Sequence, residues 1–96
     1  MKFQDDIERK IKIDFGEYSN QATKILVEAI TKTTCIETDR VIRCIVFLAN
    51  GDLNELNKYI DTAILDIRDI ILWAEYEELN GKLKRLRDFN KTFEEY

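Results

Sequence analysis

The chain has 96 residues, of which 45% are hydrophobic and 35% are charged, and its net charge is −4. That balance is typical of one soluble globular domain and excludes a disordered tail or a fibre. The sequence contains no histidine and a single serine, Ser19. It therefore excludes a histidine base, a histidine-ligated metal site and a Ser-His nucleophile. We expect residues 1–96 to form a single helical domain.

Neither a secretion signal nor a membrane segment is predicted. Residues 1–10 lack the apolar stretch of a secretory signal, and the longest fully apolar runs, 45–49 and 70–74, are too short to cross a bilayer. Cys35 and Cys44 stand at a spacing that matches no zinc or redox motif. We therefore expect a cytoplasmic protein with two reduced thiols.

Helical periodicity predicts the first helix over residues 1–14. Its apolar face is formed by Phe3, Ile7 and Ile11. The alternation of residues 11–15 also fits a short strand, which we weigh less because no second strand is evident to pair with it. Gly16 suits a left-handed helix end, and Ser19 is the predicted N-cap of the second helix.

Capping residues delimit the third and fourth helices. Thr38 or Asp39 is the predicted cap of the third helix, which ends at the Asn-Gly pair at positions 50 and 51. Asp52 then opens the fourth helix, with Glu55 three residues later in a capping-box arrangement. Both acids face the positive end of the helix dipole.

The spacing of apolar residues predicts one long helix over about 52–79, which would be the spine of an all-α bundle of four to five helices. A break within residues 61–66 is the alternative, because Asp66 could cap a separate helix. The Asn-Gly pair at positions 80 and 81 is predicted to end the helix. Residues 82–96 fit either a short amphipathic helix or an ordered, docked tail.

On a helical wheel, a second apolar row lies roughly opposite the main stripe of this long helix. It consists of Leu65, Leu72 and Leu79, with Trp73 and Tyr76 beside it. The row is covered by the chain itself if the helix is central, and by a partner otherwise. A chain this short has few helices with which to cover both faces, and Trp and Tyr often anchor interfaces. The pattern thus predicts a partner-binding surface, for which a second copy is the simplest partner.

The predicted function is that of a small non-enzymatic interaction protein, homodimeric, with no cofactor, metal or small-molecule ligand. A specific alternative is an acidic antitoxin or immunity-type protein that binds a basic partner. Another is a metal-dependent hydrolase, because Asp66 and Asp69 share a helical face and carboxylates on helices can hold Mg²⁺ or Mn²⁺. We instead expect Arg40 and Arg43 to reach Asp66 or Asp69 in structural ion pairs.

A basic segment follows the predicted spine helix. Its four cations are Lys82, Lys84, Arg85 and Arg87. Such a cluster can contact nucleic acid, but cations near a helix end also complement its dipole and balance nearby acids. The net charge of −4 argues against general affinity for nucleic acid. We therefore do not expect nucleic-acid binding.

Overall fold

A computed structural model describes residues 3–33, 36 and 38–96. Within these residues the chain folds as a small, mostly helical bundle, which confirms the predicted fold class. The elements are α1 (Asp5–Phe15), a 3₁₀ turn (Gly16–Tyr18), α2 (Ser19–Lys32), α3 (Asp39–Ala49), α4 (Leu53–Leu65), α5 (Ile67–Glu75), β1 (Tyr76–Leu79) and β2 (Lys82–Arg85). The two strands form an antiparallel hairpin.

The first two helices differ from the prediction at their ends. Residues 11–15 are helical, so the alternative of a short strand there is wrong. Gly16 ends α1 with a φ of 54° but a ψ of −121°, so it does not take the predicted left-handed helical conformation. Ser19 is not an N-cap, because the preceding 3₁₀ turn leads straight into α2 and Ser19 already has helical φ and ψ of −61° and −36°. No side-chain hydrogen bond caps the start of α2.

The caps predicted around α3 and α4 are present. The Thr38 hydroxyl accepts a hydrogen bond from Val41 N at 3.4 Å. Asp52 Oδ1 accepts from the backbone nitrogens of Asn54 (2.8 Å) and Glu55 (3.1 Å), as an N-cap does. The reciprocal half of the capping box is missing, since Asp52 N donates to Ala49 O and not to the Glu55 side chain.

These caps give a paired prediction. Asp52→Ala removes two acceptor contacts at the start of α4 and should lower the free energy of unfolding by about 1 kcal/mol. Ser19→Ala is the matched control, because Ser19 lies inside the helical stretch, and it should change stability by no more than about 0.5 kcal/mol. Urea denaturation of both variants measures the difference. Equal losses would contradict the assigned caps.

The predicted long helix over 52–79 is wrong, because the chain leaves helical geometry twice. Asp66 has φ and ψ of −162° and 108°, which separates α4 from α5. Its side chain accepts from Arg68 N at 3.0 Å and so caps α5, as the alternative of a break near 61–66 anticipated. Short Asp side chains compete with helical hydrogen bonds in this way.

The second departure is at Tyr76, where α5 gives way to β1. Asn80 and Gly81 do not simply end a helix. They are the two central residues of a hairpin turn, with φ of 54° and 75°. Positive φ at both positions is the signature of a type I′ turn, whose twist matches that of the flanking strands.

Residues 86–96, which we call the tail, return to the helical core without forming a helix. The short amphipathic helix considered for 82–96 is therefore not present. Phe89 is fully buried, and Phe93 packs against the core. The Phe89 ring lies 5.2 Å from that of Phe47 on α3 and 5.0 Å from that of Tyr96, measured between centroids. None of the helices formed by the described residues is long and apolar enough to span a bilayer.

Candidate interaction surface

The five residues predicted to bind a partner are spread over three elements instead of one helix. Leu65 ends α4, Leu72 and Trp73 lie on α5, and Tyr76 and Leu79 begin and end β1. The seven-residue spacing therefore does not trace one straight row. The chain does not bury any of the five completely.

Accessibility differs among these five residues. Leu65 is 87% exposed, whereas Leu72, Trp73 and Leu79 are between 38% and 48% exposed, and Tyr76 is half-buried. The Trp73 ring rests edge-on against Tyr59 of α4, with centroids 6.3 Å apart. This contact holds the indole on the surface without covering it.

Exposed apolar side chains are concentrated in the same part of the chain. Of the ten large hydrophobic residues that are exposed in the described structure, seven fall between positions 64 and 86, and the exceptions are Ile13, Tyr18 and Tyr96. Three of the seven, Ile64, Leu83 and Leu86, were not among the predicted partner-binding residues. Six exposed or half-buried apolar side chains of α5, the hairpin and the residue after it are together called the α5–hairpin surface; they are Leu72, Trp73, Tyr76, Leu79, Leu83 and Leu86.

A buried carboxylate anchors the base of the hairpin. Glu75 is fully buried, and its Oε2 accepts from Arg40 Nε (3.0 Å) and from Phe89 N (3.0 Å). Its Oε1 accepts from Arg40 Nη2 at 2.8 Å and lies 3.0 Å from Arg85 Nη2. Burial alone would raise the pKa of Glu75, but hydrogen bonds and the two guanidinium charges outweigh it and lower the pKa below its ordinary value. Glu75 therefore links α3, α5, β2 and the tail.

A second buried carboxylate fixes the tail to α1. Asp6 accepts from Arg43 Nε (2.8 Å) and Nη2 (3.1 Å), and its Oδ2 also accepts from Phe93 N at 3.0 Å. Arg43 Nη1 donates to Phe89 O at 3.2 Å. Burial opposes ionisation of Asp6, yet its partners still lower its pKa. The two arginines, three apart on α3, thus clamp the tail through two carboxylates.

The ion pairs expected for Arg40 and Arg43 are corrected by this arrangement. Neither arginine contacts Asp66 or Asp69, because their carboxylate partners come from α5 and α1. Asp66 instead pairs with Arg68, two residues away, at 2.9 Å. That bond and the Arg68 N hydrogen bond lower the pKa of Asp66.

The metal hypothesis rests on Asp66 and Asp69, and the structure gives them different surroundings. Asp66 is engaged as the cap of α5 and as the partner of Arg68. Asp69 lies exposed in the first turn of the same helix. Among the described residues, no three Asp, Glu, His or Cys side chains converge in a way that could hold a metal ion.

The four cations of residues 82–87 divide into two pairs. Arg85 and Arg87 face the protein: Arg85 contacts Glu75 and Asp88, and Arg87 Nε donates to Ala74 O at 2.6 Å. Lys82 and Lys84 are exposed, and no carboxylate of the described residues lies within 4 Å of either ammonium group. Of these four cations, the two arginines thus have carboxylate partners within the described residues and the two lysines do not.

The two cysteines also differ. Cys44 is a free, buried thiol on α3, and burial raises its pKa to about 12. A thiol that remains protonated at neutral pH is a poor nucleophile, so we assign Cys44 to the core. Cys35 lies outside the described residues.

Comparison with protein-family models, with curated proteins and with solved structures finds no match to this chain.

Proposed function

We propose that this protein is a small non-enzymatic interaction module that forms a homodimer through the α5–hairpin surface. The observation that carries the proposal is the concentration of exposed apolar side chains between positions 64 and 86. Groups of exposed apolar side chains often mark interaction sites in soluble proteins, and Trp73 and Tyr76 belong to the residue types that most often anchor them.

A second copy is the simplest occupant, because a two-fold interface uses the same patch twice. A standard interface covers about 800 Å² on each partner. That is roughly an eighth of the 6041 Å² surface of this chain, an area within the reach of one helix and a hairpin. The Leu65 side chain, at the end of α4, lies in the adjoining segment and would extend the contact.

Leu72→Asp tests this function. A carboxylate placed in the buried centre of an interface is left without a partner, so we expect dimerisation to weaken by roughly 100-fold. Size-exclusion chromatography with light scattering measures the mass directly. Trp73 gives a second measurement, because it is the only tryptophan and its emission should shift to longer wavelength on dilution of the wild-type dimer.

Ile13→Asp is the matched control, since Ile13 is 77% exposed on α1 and lies outside the proposed surface. It should remain dimeric. A monomeric wild type, or an equal loss of dimer in both variants, would overturn the proposed function. A dimer that survives Leu72→Asp would show that another face is used.

A further inference from the structure

Among residues 3–33, 36 and 38–96, no strand lies beside the outer edge of β2. The strand is exposed along its whole length, and within this part of the chain it pairs only with β1. Residues Leu79 and Lys82 face each other across the turn, as do Glu77 and Lys84. Leu86 N donates to Glu75 O at 2.7 Å, so these two residues form a hydrogen-bonded pair. Hydrogen-bonded pairs alternate with non-hydrogen-bonded pairs along an antiparallel ladder, so Glu77–Lys84 and Leu79–Lys82 are the other hydrogen-bonded pairs.

The intervening residues of β2 therefore direct their backbone groups away from β1. Leu83 and Arg85 hold these positions, and the described residues provide no backbone hydrogen-bond partner for either on the outer side. Unpaired N–H and C=O groups along an exposed strand form a template for another strand. A two-stranded hairpin is also marginally stable alone, and a third strand would stabilise it.

The side chains along this edge alternate in character. Lys82 and Lys84 project from one face of the hairpin, and Leu83, which is 59% exposed, projects from the other. Neither lysine forms an ion pair with a residue of the paired strand. Glu77, opposite Lys84, instead contacts Arg87 at 3.3 Å, and Leu79 stands opposite Lys82.

The same charges determine which strand fits. Two copies of β2 paired edge to edge would bring the lysines of one chain beside those of the other, and like charges across strands are destabilising. A strand with acidic residues at alternate positions would place carboxylates beside both lysines. Its intervening residue would lie beside Leu83, where an apolar side chain fits.

We infer that the outer edge of β2 binds an extended acidic peptide segment as a third strand, with acidic and apolar residues in alternation. The backbone N–H and C=O groups of Leu83 and Arg85 form the hydrogen bonds to the added strand, and Lys82 and Lys84 favour a segment with negatively charged side chains. This mode of recognition takes affinity from main-chain hydrogen bonds and specificity from alternate side chains.

The test uses a fluorescent peptide that alternates glutamate and leucine, titrated with the full chain at low salt and followed by anisotropy. We expect saturable binding that weakens with salt. Lys82→Gln/Lys84→Gln should weaken it by about tenfold, while the equally charge-depleted control Lys12→Gln/Lys24→Gln, which lies on α1 and α2, should not. Amide hydrogen exchange at Leu83 and Arg85 should slow when the peptide is added.

A second peptide separates strand addition from charge attraction. It has the same sequence but carries N-methyl groups on the amides that would face β2. The peptide therefore keeps its charges but cannot donate backbone hydrogen bonds to β2. We expect it not to bind. Equal binding of both peptides, no binding of either, or unchanged exchange at Leu83 and Arg85 would overturn the inference. Binding of a single-stranded oligonucleotide through Lys82 and Lys84, without peptide binding, would also overturn it and favour nucleic acid.

Discussion

We expect Glu75→Ala to lower the free energy of unfolding by about 3–5 kcal/mol, the range measured when one partner of a buried ion pair is removed. The Glu75 carboxylate is fully buried and accepts from Arg40 and from Phe89 N. Its loss leaves the Arg40 guanidinium and the Phe89 amide without their acceptor, and it removes one of the two carboxylates that Arg85 contacts. It also leaves a cavity at the base of the hairpin. Urea denaturation measures the loss.

The control for this prediction is Glu94→Ala. Glu94 also forms an ion pair with an arginine, Arg9, but both side chains are more than half exposed. An exposed pair contributes about 0–1 kcal/mol, so the control should cost little. Comparable losses in the two variants would show that Glu75 does not anchor the hairpin and tail.

The pH dependence of stability gives an independent check on Glu75. Its pKa in the folded state is lowered, so its contribution is fully present above its ordinary pKa and is lost as pH falls through the folded-state pKa. Glu75→Ala lacks this contribution at every pH. The difference in stability between wild type and variant should therefore narrow on acidification, and a constant difference would contradict an ionised Glu75.

The hairpin and tail lose local support when this network is broken. Arg85 of β2 and Phe89 of the tail both contact Glu75, and the exposed strands have no other buried anchor of this kind among the described residues. The Glu75 carboxylate lies in the core, where a second copy of the chain would not contact it. We nevertheless expect the α5–hairpin surface to depend on Glu75, because the contacts of Glu75 with Arg85 and Phe89 hold the hairpin and the tail in position.

Local chemistry was enough to predict the α3–α4 junction. Asn50, Gly51 and Asp52 specify a left-handed helix end followed by an N-cap, and the structure has both. Such signals act within a few residues, so they do not depend on the rest of the fold. Asp66 is likewise a capping residue, and it starts a new helix in the structure. This local capping signal predicted the helix boundary better than the continuous apolar stripe, which favoured one long helix.

The hairpin was not predicted because the Asn80-Gly81 dipeptide is compatible with two different structures. Asn-Gly is common both at helix ends and in two-residue hairpin turns. The flanking sequences of β1 and β2 lack the alternation of a half-buried strand, since nearly every position is exposed. The pairing becomes evident only once Glu75 O accepts from Leu86 N, a contact set by the tertiary fold.

The buried ion pairs could not be read from the sequence either. Asp6 and Arg43 are 37 positions apart, and Arg40 and Glu75 are 35 apart. Periodicity identifies which face of a helix is buried, but it does not identify which carboxylate meets which guanidinium across the core. The helical wheel nevertheless identified five residues that are exposed or half-buried in the structure. The single helix on which it placed them is in fact α4, α5 and β1.

The second large effect is expected at Gly51. This residue has a φ of 81°, and a Cβ built on it would lie 2.3 Å from the carbonyl oxygen of Asp14, at the end of α1. Gly51→Ala therefore combines a left-handed conformation, which costs about 1–2 kcal/mol, with overpacking against backbone, which costs about 1–3 kcal/mol. We expect a total loss of about 2–5 kcal/mol by urea denaturation.

Gly81→Ala separates these two causes. Gly81 has a similar φ of 75°, but apart from Gly81 and its two chain neighbours no described residue has an atom within 4 Å of the position that its Cβ would take. The substitution should cost only the conformational part, about 1–2 kcal/mol. A larger loss at Gly51 than at Gly81 then measures how closely α1 packs on the α3–α4 turn. Equal losses would mean that Asp14 does not approach Gly51 as the structure shows, and that the two halves of the bundle meet differently.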